Sequence, residues 1–218
     1  MNQQDLFGAP PQPARDLPPG MRLEEEFLSR EEEQALIATI AALPLANMKY
    51  QQYTARRRVV SYGGQYDFSA QRLDDADPLP AWLDPLRERA GAWAGIAPER
   101  FTQALVAEYA PGTPLGWHRD VPDFEDVVGI SLAADGVMRF RPYPPESGTR
   151  ADIRKLTLPP RSIYLLRGPS RWEWQHAVSP TRALRYSITL RTPSAKLRSA
   201  GDRASGGRSP GSRRPAPS

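Results

Sequence analysis

Between residues 29 and 43 apolar side chains return every three or four positions, with Leu36, Ile37, Ile40 and Leu43 forming one stripe among charged neighbours. That is the period of an amphipathic helix. Ser29-Arg30-Glu31-Glu32, just ahead of the stripe, is a capping box. Ser29 and Glu32 there satisfy each other's free backbone N–H groups, so the helix is predicted to open at Ser29 and run to about Leu43. A second helix is predicted from near Pro80, since proline is tolerated in a first turn. Its buried face is Trp82, Leu83, Leu86, Ala90 and Trp93, and it stops between Gly91 and Gly95. From about Thr102 the period falls to two. Strand-like runs at 104–109, 127–132, 137–141, 153–158, 162–166 and 184–191 are punctuated by Pro, Gly and Asp. Helices first and short strands afterwards predict an α+β fold, with helices packed outside a β-sandwich or barrel.

Residues 1–20, rich in Pro and Gln, read as a disordered leader, and residues 194–218, built of Gly, Ser, Pro and Arg, as a disordered tail. The folded domain is then 21–193, expected to stand alone as a monomer. The sequence has no run of eighteen apolar residues, so no membrane span is expected. The first residues lack a basic region followed by an apolar one, so no secretory signal is read and a cytoplasmic location is expected. The net charge is +4. After Pro193, however, six cations stand against Asp202 alone, which leaves the preceding 193 residues one charge negative. The basicity belongs to the tail, which either adds non-specific affinity for nucleic acid or merely solubilises the chain.

Cysteine is absent and only two histidines are present. Disulfides, zinc fingers, iron–sulfur clusters and thiol catalysis are thereby excluded, and a metal must be held by His and carboxylate. In Gly116-Trp117-His118-Arg119-Asp120 the His and Asp are two apart, so on extended chain they point the same way. Such a pair is common by chance, and His176 by itself suits a core or surface position. Together the three would make the two-His, one-carboxylate facial triad of non-haem Fe(II) oxygenases. Farther on, Arg185, Ser187, Thr189 and Arg191 alternate with Tyr186, Ile188 and Leu190. An exposed edge strand would alternate in the same way. Two guanidinium groups on one strand face also suit a dicarboxylate such as 2-oxoglutarate.

From about Phe27 to Thr192 these residues resemble the AlkB family of Fe(II)/2-oxoglutarate dioxygenases. The likeness is carried by Tyr109-Ala110-Pro111-Gly112 before His118-x-Asp120, by Arg171 to His176, and by Arg185 to Arg191. The resemblance implies a double-stranded β-helix, or jelly roll, flanked by N-terminal helices. It implies Fe(II) on His118, Asp120 and His176, with O₂ and 2-oxoglutarate as co-substrates. Tyr109, Arg185 and Ser187 would bind 2-oxoglutarate, and Arg191 would support its metal-chelating end. Two family asparagines are Ala107 and Ser187 here. The implied reaction is oxidative demethylation of N-alkylated bases in DNA or RNA, as in alkylation-damage DNA repair, so alkylated nucleic acid is the expected partner.

Residues 56–67 fall where the family places its substrate-recognition loops. Arg57 and Arg58 would contact phosphate, and Tyr62 or Tyr66 would stack on an unpaired base. The alternative is that the arginines pair with Asp74, Asp75 or Asp77 and that the tyrosines are partly core. Asp123, Glu125 and Asp126 read as a solvated loop, and Trp172 and Trp174 as packing or pocket walls. Two rivals keep the fold but not this function. One is a hydroxylase or demethylase of protein or small molecules. The other is a non-catalytic binding module, against which the complete set of three ligands and two arginines argues.

Overall fold

The structure is a computed structural model in which residues 17–50, 53–67, 72–74, 76–145 and 153–195 are described. Strands are numbered here in chain order. Two antiparallel sheets face each other. The major sheet has seven strands in the order β1 (Arg22–Glu24), β11 (Ile163–Leu166), β8 (Phe124–Leu132), β13 (Arg185–Pro193), β6 (Gln103–Tyr109), β3 (Tyr53–Tyr62) and β2 (Ala46–Tyr50). The minor sheet has four, in the order β10 (Arg154–Leu158), β9 (Gly136–Pro142), β12 (Trp174–Val178) and β7 (Leu115–His118). A small pair, β4 (Gln65–Asp67) with β5 (Arg72–Asp74), lies apart.

Alternation along the strands builds two cores. Outward from the major sheet, Val106, Ile130, Ile163, Ile188 and Leu190 pack with Ile40, Leu83, Leu86 and Ala90 of the helical layer. Between the sheets, Val127, Tyr164 and Leu166 meet Met138, Phe140, Leu156, Leu158 and Trp174. This is the expected double-stranded β-helix with helices against one face. Helix α1 (Arg30–Ala41) opens as predicted: Glu32 N–H donates to Ser29 Oγ at 3.1 Å, and Ser29 N–H donates to the Glu32 carboxylate at 2.7 Å. Helix α2 (Asp84–Ala94) follows a 3-10 turn, Ala81–Leu83, and ends on Gly95 in the left-handed region. A third, four-residue helix, α3 (Pro169–Trp172), precedes β12.

Three expectations are corrected. Strands do not wait for the second helix, because β1 to β5 all precede it. Residues 56–62 are not a loop but part of β3, paired in register with β6 from Arg58↔Glu108 to Tyr62↔Ala104. The acidic group 123–126 is not a solvated loop. Asp123 is buried, while Glu125 and Asp126 lie in β8, where Asp126 pairs with Arg167 at 2.7 Å and Glu125 accepts from Trp172 Nε1 at 3.1 Å. At the ends, Leu17 packs on the inner core, and its carbonyl accepts from Arg154 at 2.8 Å. Residues 1–16 and 196–218, with the basic tail, lie outside the described residues.

Candidate metal centre and co-substrate pocket

The two histidines meet across the minor sheet. β7 and β12 are antiparallel neighbours with His118 directly opposite His176, and the register slips between there and the Leu115↔Val178 pair, so β7 carries an extra residue at the bulge. A bulge re-aims the side chains next to it. The two rings lie 4.3 Å apart between centroids. Asp120, two residues past His118, closes the group, with one ligand atom from each of the three residues lying within 4.8 Å of the others.

Several neighbours of this trio prepare it for a cation. The Gly116 carbonyl, 2.9 Å from His118 Nδ1, can only accept, so the proton sits on Nδ1 and Nε2 keeps its lone pair. Burial pushes both imidazoles below their ordinary pKa, His176 to about 3, so both are neutral. Burial would raise the Asp120 carboxyl, but the Arg191 charge overcomes it and holds the group well below the usual carboxylate range. Arg191 donates Nε and Nη2 to Asp120 Oδ1 at 2.9 and 2.8 Å, and Nη1 to Gln103 at 2.8 Å. That leaves Asp120 Oδ2 facing His176 Nε2 at 3.6 Å. Arg171, buried on α3, donates to the carbonyls of Val121 and Phe124 at 2.7 and 2.8 Å and so pins the chain just beyond Asp120. Two neutral imidazoles and one ionised carboxylate are the donor set of a divalent-metal facial triad, and they fit Fe(II).

The inner face of the major sheet lies against this trio. β13 directs Arg185, Ser187, Thr189 and Arg191 inward. They stand opposite Tyr109, Ala107, Leu105 and Gln103 on β6, and Ser187, Thr189 and Arg191 stand opposite Ser131, Gly129 and Val127 on β8. Arg185 is 2% exposed and donates Nε to Ser131 Oγ at 3.0 Å. Its guanidinium lies 5.2 Å from the Tyr109 ring centre. Gly136 makes room for it, because a Cβ there would fall 2.5 Å from Arg185 Nε. Among the described residues Arg185 has no carboxylate partner. A buried guanidinium without a counter-charge is the seat of an anion. The pocket therefore fits a carboxylate-bearing co-substrate beside the metal trio.

The four residues read as a recognition loop separate. Arg57 is buried and joins the inner-face group. Burial raises the Tyr109 phenol, yet the Arg57 and Arg185 charges, with hydrogen bonds from Arg57 and Ser187, leave it below its ordinary pKa. Arg58 lies on the opposite face and pairs with Glu108. Its fork closes on Glu108, Nε to Oε1 and Nη2 to Oε2, both at 2.7 Å. Tyr62 is a core residue of the helix-side cluster and presents no ring for stacking. Tyr66 lies in β4, and its side chain falls outside the described residues. The sequence did not single out Gln103 and Ser131, which buttress the two arginines. Strand parity alone would have put them on the inner face.

The sequence profile of the 2OG-Fe(II) oxygenase superfamily matches residues 20–191. The chain is 32% identical over 181 residues to the Alkylated DNA repair protein ALKBH8 homolog of Arabidopsis thaliana, covering 73% of this chain and 51% of that protein. It is 30% identical over 173 residues to the tRNA (carboxymethyluridine(34)-5-O)-methyltransferase ALKBH8 of Mus musculus, covering 76% and 25%. It thus spans about half of the plant relative and a quarter of the mouse one. A solved structure of OsALKBH1 superposes with a TM-score of 0.66 at 16% identity, covering 83% of this chain and 100% of that one, a likeness of fold. The family uses Fe(II), 2-oxoglutarate and O₂, the three components that this donor set and pocket fit. The chain belongs to the 2OG-Fe(II) oxygenase superfamily, in its AlkB family.

Proposed function

We propose that this dioxygenase removes N-alkyl groups from bases of single-stranded nucleic acid. His118, Asp120 and His176 hold the iron. Arg185, with Tyr109 and Ser187, holds the distal carboxylate of 2-oxoglutarate, and Arg191, which fixes the orientation of Asp120, supports the metal-chelating end. When bound, iron with 2-oxoglutarate and O₂ supplies the oxidising equivalents that hydroxylate a substrate C–H, with succinate and CO₂ as co-products. An N-methyl group so hydroxylated departs as formaldehyde. The chain's own task is positioning: one neutral imidazole from each of two neighbouring strands, a carboxylate whose second oxygen is already occupied by Arg191, and an apolar inner core that keeps water away.

The observation that carries the substrate class is the outer face of the minor sheet. β9 alternates, with Met138 and Phe140 inside and Arg139 and Arg141 outside. Trp117 of β7 lies between the arginines' reach, 5.1 Å from Arg139 and 4.5 Å from Arg141. Arg141 is further held by Gln175, to which its Nε donates at 2.9 Å, and Lys155 of β10 stands opposite Arg139. Among the described residues none of these three cations has a carboxylate partner. The main body is slightly acidic, so this concentration of positive charge is local, and the indole it surrounds, Trp117, is next in sequence to the ligand His118. Guanidinium groups laid against an indole keep their N–H edges free for phosphates, which suits a polyanion entering round the β7 edge. The relatives named for alkylated DNA repair and tRNA support the same class of substrate.

The test is a panel of N-methylated DNA and RNA oligonucleotides with Fe(II), 2-oxoglutarate and O₂. Mass spectrometry reads loss of the methyl group, and an assay of succinate reads turnover. Arg139→Glu with Arg141→Glu is expected to weaken binding of a single-stranded oligonucleotide at least tenfold. The slope of log affinity against log salt should flatten by about 1.4, the share of two phosphate contacts on a single strand. Succinate release without substrate should not change. Equal binding by the double variant removes this face from the substrate path, and a panel that succeeds only with methylated peptides redirects the reading to protein.

A further inference from the structure

One inner-face side chain near the pocket was not foreseen. Tyr164 of β11 stands opposite Gly129 of β8, which in turn stands opposite Thr189 of β13. The hydroxyl end of its ring lies over the bare backbone of Gly129. A Cβ at 129 would fall 2.1 Å from the ring carbon that bears the hydroxyl, and 2.4 Å from the hydroxyl oxygen. Any side chain at 129 would therefore evict the phenol. The tip of the ring reaches across β8 toward β13, whose inner-face row runs from Arg185 to Arg191. Burial dominates the electrostatics of this phenol and raises its pKa above the ordinary value. The charges it feels besides are those of Arg185, Asp120, Tyr109 and Arg191, all members of the site. The hydroxyl thus keeps its proton at neutral pH and is a donor. Among the described residues it makes no hydrogen bond. Tyr164 as a whole is 6% exposed, and its hydroxyl, with no protein acceptor, is available to a ligand.

The neighbouring pair sharpens the point. Ala107 and Ser187 face each other across β6 and β13 and between them offer one hydroxyl and no amide to a bound carboxylate. The deficit in donors lies one inner-face row from the Gly129↔Thr189 row over which the phenol is laid.

We propose that Tyr164, seated on Gly129, is a co-substrate-binding residue whose hydroxyl donates a hydrogen bond to a carboxylate of 2-oxoglutarate in the Arg185 pocket. The proposal rests on the assignment of Arg185 to that co-substrate. It makes Gly129 and Tyr164 a unit, since the phenol reaches the pocket only because residue 129 has no side chain.

The experiment is titration of 2-oxoglutarate into the Fe(II) enzyme without O₂, read by calorimetry, with succinate release under O₂ as a second readout. Tyr164→Phe keeps the ring and removes the donor. It is expected to weaken 2-oxoglutarate binding about tenfold to a hundredfold, the range for a hydrogen bond to a charged group. KM for 2-oxoglutarate should rise accordingly, with kcat at saturation and iron binding little changed. Gly129→Ser should reproduce the loss by displacing the ring. If Tyr164→Phe binds within twofold of the parent while Tyr164→Leu only lowers the melting temperature, the residue is packing and the proposal falls, with the Arg185 assignment intact. If the parent enzyme itself shows no binding, both fall together.

Discussion

Asp120→Ala is expected to abolish turnover of 2-oxoglutarate and, in the metal-free protein, to cost about 3–5 kcal/mol of stability. Two roles meet on this carboxylate. One oxygen faces His176 and completes the metal trio, while the other takes both Nε and Nη2 of Arg191. The Asp120 side chain is 6% exposed and that of Arg191 12%, so truncation strands a guanidinium in a dry place with Gln103 as its remaining partner. Breaking a buried ion pair from one side is costly because the survivor has no solvent to turn to. Asp120→Asn should recover part of the stability, since an amide oxygen can still accept, but not the activity. Succinate release and denaturant unfolding with chelator present read the two effects separately. A stable Asp120→Ala protein would mean that Arg191 finds another counter-charge, and an active one would remove Asp120 from the metal.

Arg185→Met is expected to push binding and stability in opposite directions. The guanidinium is buried against Gly136 and the Tyr109 ring, with Ser131 as its one hydrogen-bond acceptor and no carboxylate among the described residues. Without co-substrate it is an uncompensated charge, and methionine of similar volume should stabilise the ligand-free protein by about 1–3 kcal/mol. With co-substrate it is the counter-ion, and its loss should weaken 2-oxoglutarate binding at least a hundredfold, consistent with about 3 kcal/mol for a desolvated charge pair. Melting of the ligand-free protein and calorimetry with 2-oxoglutarate measure both signs. A variant that melts earlier and binds normally would make Arg185 a structural cation.

Much of the site was legible because the composition left few choices. With no cysteine and only two histidines, the places for a metal were few, and the alternation from Arg185 to Arg191 told which four side chains share a face. Strand β3 was harder. Arg56-Arg57-Arg58 reads as a phosphate-binding run when viewed alone. Its folded meaning depends on Glu108, fifty positions away, which neutralises Arg58 on one face, and on Tyr109, which receives Arg57 on the other. The acidic group at 123–126 misleads for the same reason, since its partners Arg167 and Trp172 come from the far side of the chain. Local pattern tells which way a side chain points on a strand. It does not tell what stands opposite, so charges bound to distant partners look free. Tyr164 shows the converse: an ordinary aromatic in an apolar strand gains its position from a glycine in the neighbouring strand.

Among the described residues the short strand β7 forms the open border of the minor sheet, joined along one side only, to β12. Four residues with half their backbone groups unshared are a weak hem. Yet this strand ends in one imidazole, its neighbour carries the other, and the carboxylate follows two positions later. An ion gripped by all three rivets the hem to the cloth. Loss of iron would then do more than silence the chemistry: it would let this rim unravel, and with it the basic, tryptophan-bearing face on its reverse.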